Sequence, residues 1–369
     1  MSIRMAVLAA ACLLAATPAA AKEIVVAQVA AFTGAQASSG KAIRAGIKLY
    51  FDHVNRNGGI NGDKLTLTTH DDGYKAEETV RLVKEILAND PPIAFIGILG
   101  TANNEAIIKD GVLAKTGVPL VGAISGAYTM IGAPNMFVTK ASYRDEVRRL
   151  FELLSLIGTD RVAVVYQDDG FGRDIVAGAE AAAPATRVKL VAKAPYERNT
   201  TNVKAAVQQV LESDAQVIYL GAVTSAAVEF IKQYRAAGGG GQIYGVSVID
   251  VNGMKKGLKP EELAGYGLGV LWPLTTVRTF PLVREYQQLA NAAKDPDLAE
   301  RSMEGYIAAK VLVHGLKQTR SSPQALAKVV RNMKGVDLGG FFIDFTKPKS
   351  TGSTYVEFAI VNKTGQVLQ

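Results

Sequence analysis

The run Ile93-Ala94-Phe95-Ile96-Gly97-Ile98-Leu99-Gly100 constrains the chain more than any other stretch, because it carries no polar side chain on either face. A strand apolar on both faces must be covered on both, which is the condition of a parallel strand in a helix-flanked sheet. Thr101-Ala102-Asn103-Asn104 follows and opens a helix expected to run to about Lys115. The Gly100-Thr101 junction therefore places unpaired backbone N–H groups at a helix N-terminus, outside the carboxyl end of a strand. Open α/β sheets bind ligands there, and anions are favoured. A bound carboxylate is the functional expectation; the plainer one makes Thr101 an ordinary N-cap.

The same alternation fills the chain. Ile24–Val29, Leu65–Thr68, Val118–Val121, Val162–Tyr166, Val188–Ala194, Val217–Leu220 and Gln242–Val248 read as strands. Helices separate them, with stripes such as Ile43, Ile47, Tyr50 and Val54, or Val80, Val83 and Leu87, and later Phe171–Ala183, Val203–Leu211 and Ala226–Ala237. Asn57-Gly58-Gly59 and Gly238–Gly241 act as helix stops. The pattern restarts near Tyr143, so two consecutive α/β units are expected, each with its own mostly parallel sheet. Beyond Trp272-Pro273, a crossing segment, come helices at Leu282–Ala293, Met303–Lys317 and after Ser322-Pro323, then strands at Phe341–Phe345 and Val356–Val361. These are too few for a third domain and should be shared between the two units.

Met1 to Ala21 stands apart: Arg4, an apolar run from Met5 to Ala16, and Ala19-Ala20-Ala21 as an A-x-A site. It reads as a secretory signal peptide cleaved near Ala21, too short for a membrane span. Lipid attachment at Cys12 is the lesser alternative, since Ala9 stands where a lipobox carries leucine. The mature chain then has no cysteine, hence no disulfide and no thiolate chemistry; a chain of this length buries a large core without staples. With Arg4 set aside, 40 basic residues face 34 acidic ones. The excess is scattered and not interleaved with aromatics, which argues against nucleic acid as a partner.

Catalytic chemistry is poorly provided for. The three histidines, His53, His70 and His314, lack metal-ligand spacing, and no P-loop, H-E-x-x-H or G-x-S-x-G motif occurs. No metal, cofactor or catalytic residue is expected. Asp71-Asp72 and Asp168-Asp169 follow strands, but adjacent carboxylates point apart and strand-end aspartates ordinarily cap the next helix. Several strand ends instead finish in small or hydroxyl residues: Thr33-Gly34, Gly100-Thr101, Ser125-Gly126, Thr224-Ser225 and Ser247. Such loops hold a ligand with hydroxyls and backbone N–H groups and are ill suited to proton or electron transfer.

An ordered set of segments carries a resemblance. Ala31-Phe32-Thr33-Gly34, Asn57–Gly62, Asp71-Asp72, Gly97–Thr101, Val118–Val121, Ala141-Ser142-Tyr143, Gln167–Gly172 and Glu304-Gly305-Tyr306 occur in this order. Together they resemble the periplasmic solute-binding proteins of branched-chain amino-acid-type (type I) ABC transporters, over essentially the whole mature chain. The resemblance implies two α/β lobes joined by three crossing segments, with ligand enclosed between them. The lobes are expected to comprise residues 22–140 with 273–335, and 141–272 with 336–369. It further implies that Gly100-Thr101 holds the ligand's carboxylate, that Ser125-Gly126 completes the grip, and that Phe171 and Thr224 contact ligand from the second lobe. Phe32, Ala102 and Tyr143 flank these turns and complete the expected ligand-binding set with Ser247.

One departure matters. Amino-acid binders of this family place a carboxylate in the Gly245-Val246-Ser247 turn to pair the ligand's ammonium; here Ser247 stands there, with Asp250 one turn on as a substitute. An unpaired buried ammonium is costly. The expected ligand is thus a branched-chain or hydrophobic amino acid or, preferentially, a related acid with an apolar or aromatic body; a neutral amide-type solute is the alternative. The expected role is delivery to an ABC permease by a monomeric periplasmic protein. Alternatives are a ligand sensor for a membrane receptor and an enzyme on the same scaffold.

Overall fold

In the computed structural model, residues 22–348 and 350–369 are described, so the expected signal segment, with Cys12 and the cleavage site at Ala21, lies outside the described residues. Strands β1 (Glu23–Ala30), β2 (Lys64–Asp71), β3 (Ala94–Ile96), β4 (Leu120–Val121) and β5 (Met136–Phe137) form a wholly parallel sheet in the order β2-β1-β3-β4-β5. Strands β6 (Arg161–Gln167), β7 (Lys189–Tyr196), β8 (Val217–Gly221), β9 (Gln242–Gly245) and β10 (Gly267–Val270) repeat that order as β7-β6-β8-β9-β10. A short antiparallel pair, β11 (Val336–Asp337) with β12 (Phe342–Ile343), stands alone. Then β13 (Glu357–Val361) and β14 (Val367–Leu368) extend the second sheet antiparallel beyond β10. The α/β class and the two mostly parallel sheets, each flanked by helices, are as the hydrophobic pattern predicts.

Both sheets reverse direction of winding between their first and third strands, and ligands of such sheets bind outside the carboxyl ends at that switch point. In the first lobe those ends lead into Ala31–Gln36 and Gly97–Thr101, in the second into Asp168–Phe171 and Ala222–Thr224. The four loops face one another. Strands β3 and β8 are buried throughout, as strands covered on both faces must be.

The structure shortens and divides the opening element. β3 ends at Ile96 because Gly97 (φ +65°) and Gly100 (φ +105°) turn the chain, and the helix expected to reach Lys115 breaks at Gly111 (φ +76°) into Thr101–Asp110 and Val112–Thr116. Those backbone conformations favour glycine.

The trailing helix Ser302–Gln318 lies along Ala37–Arg56 on the first sheet. The approach is close enough that a Cβ on Gly46 would sit 1.9 Å from the Ser302 carbonyl oxygen, and one on Gly305 2.1 Å from that of Ile43. The third passage between lobes lies later than the boundary expected between residues 335 and 336. Phe345 N–H donates to the Met333 carbonyl (2.9 Å) and Gly352 N–H to that of Val138 (2.8 Å), so the β11-β12 pair stays on the first-lobe side. The chain joins the second sheet only at β13. Among the described residues no helix is long and apolar enough to cross a membrane, and no cluster of His, Cys, Asp or Glu could hold a metal.

Candidate functional site: a crevice between two sheet ends

Thr101 is 2 % exposed and does not cap its helix; Gly100 occupies the N-cap position. The Thr101 hydroxyl instead shares a 2.8 Å hydrogen bond with the Ser125 hydroxyl, which also accepts from Ala127 N–H at 3.1 Å. In such a pair only one proton lies between the oxygens, so one hydroxyl keeps a proton for a further acceptor. The start of the Thr101–Asp110 helix adds its free N–H groups beside them.

Ser125-Gly126 is tied to the first crossing: the Gly126 carbonyl accepts from Tyr143 N–H at 2.8 Å. Tyr143 and Phe171 are buried and stand edge to face, their centroids 5.2 Å apart, so an aromatic wall from the second lobe faces the hydroxyl pair. Burial pushes the Tyr143 phenol well up, keeping it protonated as a donor. Thus Gly100, Thr101, Ser125, Gly126, Tyr143 and Phe171 come together, with Ala102 half-buried next along the helix.

Three expected residues sit differently. Phe32 is half-buried, with the Arg44 guanidinium 5.0 Å over its ring, at the edge of this group. Thr224 is buried, but its hydroxyl accepts from Asp250 N–H at 3.0 Å. Ser247 faces a buried carboxylate, giving its N–H (2.7 Å) and hydroxyl (2.8 Å) to the two oxygens of Glu146. Burial outweighs those bonds and the pull of Lys140, and pushes Glu146 up to about 7. Asp250 is the N-cap of the helix Val251–Gly257, accepting from Asn252 N–H (3.1 Å) and Gly253 N–H (2.9 Å), so it does not substitute as a free carboxylate. The strand-end aspartates are structural too. Asp169 caps the helix Gly170–Ala182 through Phe171 and Gly172, Asp71 binds Phe32, Thr33 and Gly73, and Asp72 binds Tyr74 and Thr79.

Sequence reasoning missed two groups. Arg198, after β7, spans the crevice: its Nη2 donates to the Tyr74 carbonyl (2.6 Å) and to Asn103 Oδ1 (2.8 Å) on the first lobe. Its guanidinium stacks 4.2 Å over the Tyr74 ring and pairs with Asp169 at 3.3 Å. The second group is the crevice floor, where Lys140 and Arg301 flank Glu304, all 2 % exposed. Lys140 Nζ lies 3.0 Å from Glu304 Oε1, and Arg301 Nη1 donates to Glu304 Oε2. Burial lowers the Lys140 ammonium, opposed by Glu304. Neither group lies in a turn of small residues, the signal that exposed the others.

A two-lobed α/β chain with a buried, polar crevice at the facing switch points has the form of a solute-binding protein. Over residues 23–366 the chain matches the family model of the periplasmic binding proteins, and it belongs to that family. A crystal structure of a substrate-binding periplasmic protein from Ralstonia solanacearum is 38% identical with a TM-score of 0.89, covering 94% of this chain and 99% of that one. An amino acid binding protein of Pseudomonas aeruginosa is 25% identical over 223 residues, 58% of this chain and 58% of its own length, so the match spans little over half of that relative. A solute-binding protein of an ABC transporter from R. palustris, in complex with benzoate, is 16% identical with a TM-score of 0.81, covering 94% and 95%, and shares the fold. The family is one of periplasmic solute-binding proteins of ABC transporters, not of enzymes; its members bind small ligands and work with membrane permeases.

Proposed function

We propose that the chain captures a small carboxylate with an apolar or aromatic body between its lobes and delivers it, unreacted, to an ABC permease. The observation that carries this reading is the Thr101–Ser125 hydroxyl pair at a helix N-terminus, facing the Tyr143–Phe171 aromatic wall. Donors and the positive end of a helix suit a carboxylate; the rings suit its body. Acids rank above amino acids because the two carboxylates beside Ser247 are engaged, Glu146 by Ser247 and Asp250 by its helix, while the floor is rich in cations. The family relatives support both classes, one named for amino acids and a fold neighbour holding benzoate. On this reading residues 1–21 are removed near Ala21 and the mature chain is periplasmic and monomeric.

Mass spectrometry of small molecules released from the purified protein tests the reading directly, with a carboxylic acid expected. A thermal-shift screen of leucine, isoleucine, valine and phenylalanine against their deaminated counterparts and benzoate ranks the classes. A ligand at a hundredfold excess over Kd adds about 2.7 kcal/mol, a shift of several degrees. Shifts from the amino acids alone overturn the preference for acids.

A further inference from the structure

Lys22, just before β1, is held at both ends of its backbone by two adjacent residues. Its N–H donates to Asp63 Oδ1 at 3.1 Å, and its carbonyl accepts from Lys64 N–H at 2.9 Å. A tight turn presents Asp63: Ile60 N–H donates to the Asp63 carbonyl (2.8 Å) and Asp63 N–H to that of Ile60 (3.1 Å). Asn61 (φ +52°) and Gly62 (φ +90°) form its tip, and a Cβ on Gly59 would sit 2.1 Å from the Asp63 carbonyl oxygen. The carboxylate therefore stands at a fixed place beside the Lys22 nitrogen.

The other oxygen of that carboxylate faces a cation. Arg320 lies between the helices Ser302–Gln318 and Pro323–Arg331. It brings Nε to 3.5 Å from Asp63 Oδ2 and donates through Nη1 to the Ile60 carbonyl at 3.3 Å. One oxygen of Asp63 thus has a charged donor and the other a neutral peptide N–H. The other charged groups here are Glu23 and Lys64, in register across β1 and β2, and the Lys22 side chain, all exposed. A cleft of about 600 Å³ opens alongside, lined by Lys22, Asp63, Pro91, Pro92, Arg320 and Pro323, with room for water on further donors of the Lys22 nitrogen.

We propose that the leader is cut at the Ala21–Lys22 bond and that Asp63 is the receiving site for the α-ammonium released there. This rests on the removal of residues 1–21 and adds which bond is cut and where the new end goes. Hydrolysis leaves a carboxylate on Ala21 and an ammonium on Lys22, with water supplying the oxygen and both protons. The nitrogen that donates one neutral bond then carries a charge 3.1 Å from a fixed carboxylate, and the bond becomes charge-assisted. Processing thereby fastens the start of β1 to the turn at residues 60–63 and, through Arg320, to the trailing helices of the first lobe.

Amino-terminal sequencing of the exported protein should begin at Lys22; any other first residue overturns the assigned cut. Thermal unfolding of the whole mature chain beginning at Lys22, with its α-amine free or acetylated at that amine alone, reads the pairing. Acetylation should lower the melting midpoint by about 1–2 °C near pH 6, the range for an exposed ion pair. The loss should vanish in Asp63→Asn, which keeps an acceptor for the N–H and removes the charge. The carboxylate raises the ammonium above the value of about 7.7–8.0 it has in the unfolded chain. The difference between the two forms is therefore complete below that range and fades as pH rises through the folded value. Equal midpoints from pH 6 to 10 in the unsubstituted chain, or an acetylation loss of the same size in Asp63→Asn, overturn the pairing. No ligand enters these measurements, so either failure leaves the carboxylate reading standing.

Discussion

Ser247 donates both its backbone N–H and its hydroxyl to Glu146, at 2.7 and 2.8 Å, joining the end of β9 to the first turn of the helix Tyr143–Leu156. The position that lacks an acid in the sequence therefore has one directly behind it in space, but with both oxygens occupied. That arrangement makes Ser247 a fixed hydroxyl with its lone pairs toward its surroundings, and it leaves Glu146 buried in a site that favours the neutral form.

The pH dependence follows from that burial. Glu146 has its pKa raised to about 7 in the folded protein, above the ordinary glutamate value in the unfolded chain. The folded state then holds a proton the unfolded state has released, so this contribution to stability is complete below about pH 4.3 and is lost as pH rises through about 7. The melting midpoint should fall by roughly 2–6 °C across that window, and Glu146→Gln should remove that component of the slope. Scanning calorimetry from pH 4 to 8 on both proteins checks it; identical slopes would show that Glu146 titrates normally.

Thr101→Val and Ser125→Ala should each weaken carboxylate binding by about 1.5–3 kcal/mol, the range for a hydrogen bond to a charged group. Because Gly100 rather than Thr101 is the N-cap, Thr101→Val should not also incur the roughly 1 kcal/mol loss of a missing cap. Titration calorimetry and denaturant unfolding separate the two effects. An unchanged affinity in both variants removes the hydroxyl pair from the site.

Gly100→Ala should destabilise the fold by about 1–3 kcal/mol. Its φ of +105° is strained for any side chain, and a Cβ there would sit 2.6 Å from the Tyr74 ring and 2.7 Å from Asn103 Oδ1. Since Tyr74 and Asn103 are the first-lobe partners of Arg198, the substitution should weaken ligand binding as well. Urea unfolding midpoints, paired with titration, read both.

Much of this architecture is legible in the sequence because it is written in periodicity. Runs such as Val217–Leu220 can only be doubly covered strands, and the turns of small residues after them mark the crevice. What escapes is either too short to show a period or lies outside local pattern. β5 has two residues, β10 begins with a glycine, and the helix break at Gly111 is hidden in a continuous stripe. The common strand order of the two lobes leaves no trace as a sequence repeat, since topology is set by pairing and not by identity. The charged residues of the site escape for a related reason. Lys140, Glu146 and Arg301 come together on the crevice floor while Arg198 stands apart, reaching Tyr74 and Asn103, and a lone charge in a chain ordinarily reads as a solvated surface residue.

Arg198 should govern closure of the crevice. It belongs to the second lobe through its place after β7 and its pairing with Asp169, yet its Nη2 is held by two first-lobe acceptors, the Tyr74 carbonyl and Asn103 Oδ1. A second contact closes the neighbouring edge, where Tyr128 N–H donates to Asp174 Oδ2 at 3.1 Å and Arg144 pairs with the same carboxylate at 2.9 Å. The bonds of Arg198 to Tyr74 and Asn103, and of Tyr128 to Asp174, exist only while the lobes are together. Hinge motion about the three connecting segments would break them, so they stabilise the closed form selectively. A ligand affinity is lowered by whatever fraction of the protein is not in the binding-competent state. Arg198→Ala should therefore weaken binding of every ligand by a similar factor, about 10- to 100-fold for two charge-assisted bonds partly replaced by water, whatever the chemistry of the ligand's body. Thr101→Val, by contrast, should discriminate between ligands with and without a carboxylate. Small-angle scattering gives the structural readout: the unsubstituted protein should contract on saturation with ligand, and ligand-free Arg198→Ala should be more extended than ligand-free protein. Equal radii in all three samples would rule out the arginine as a latch, as would a loss of affinity confined to one ligand class.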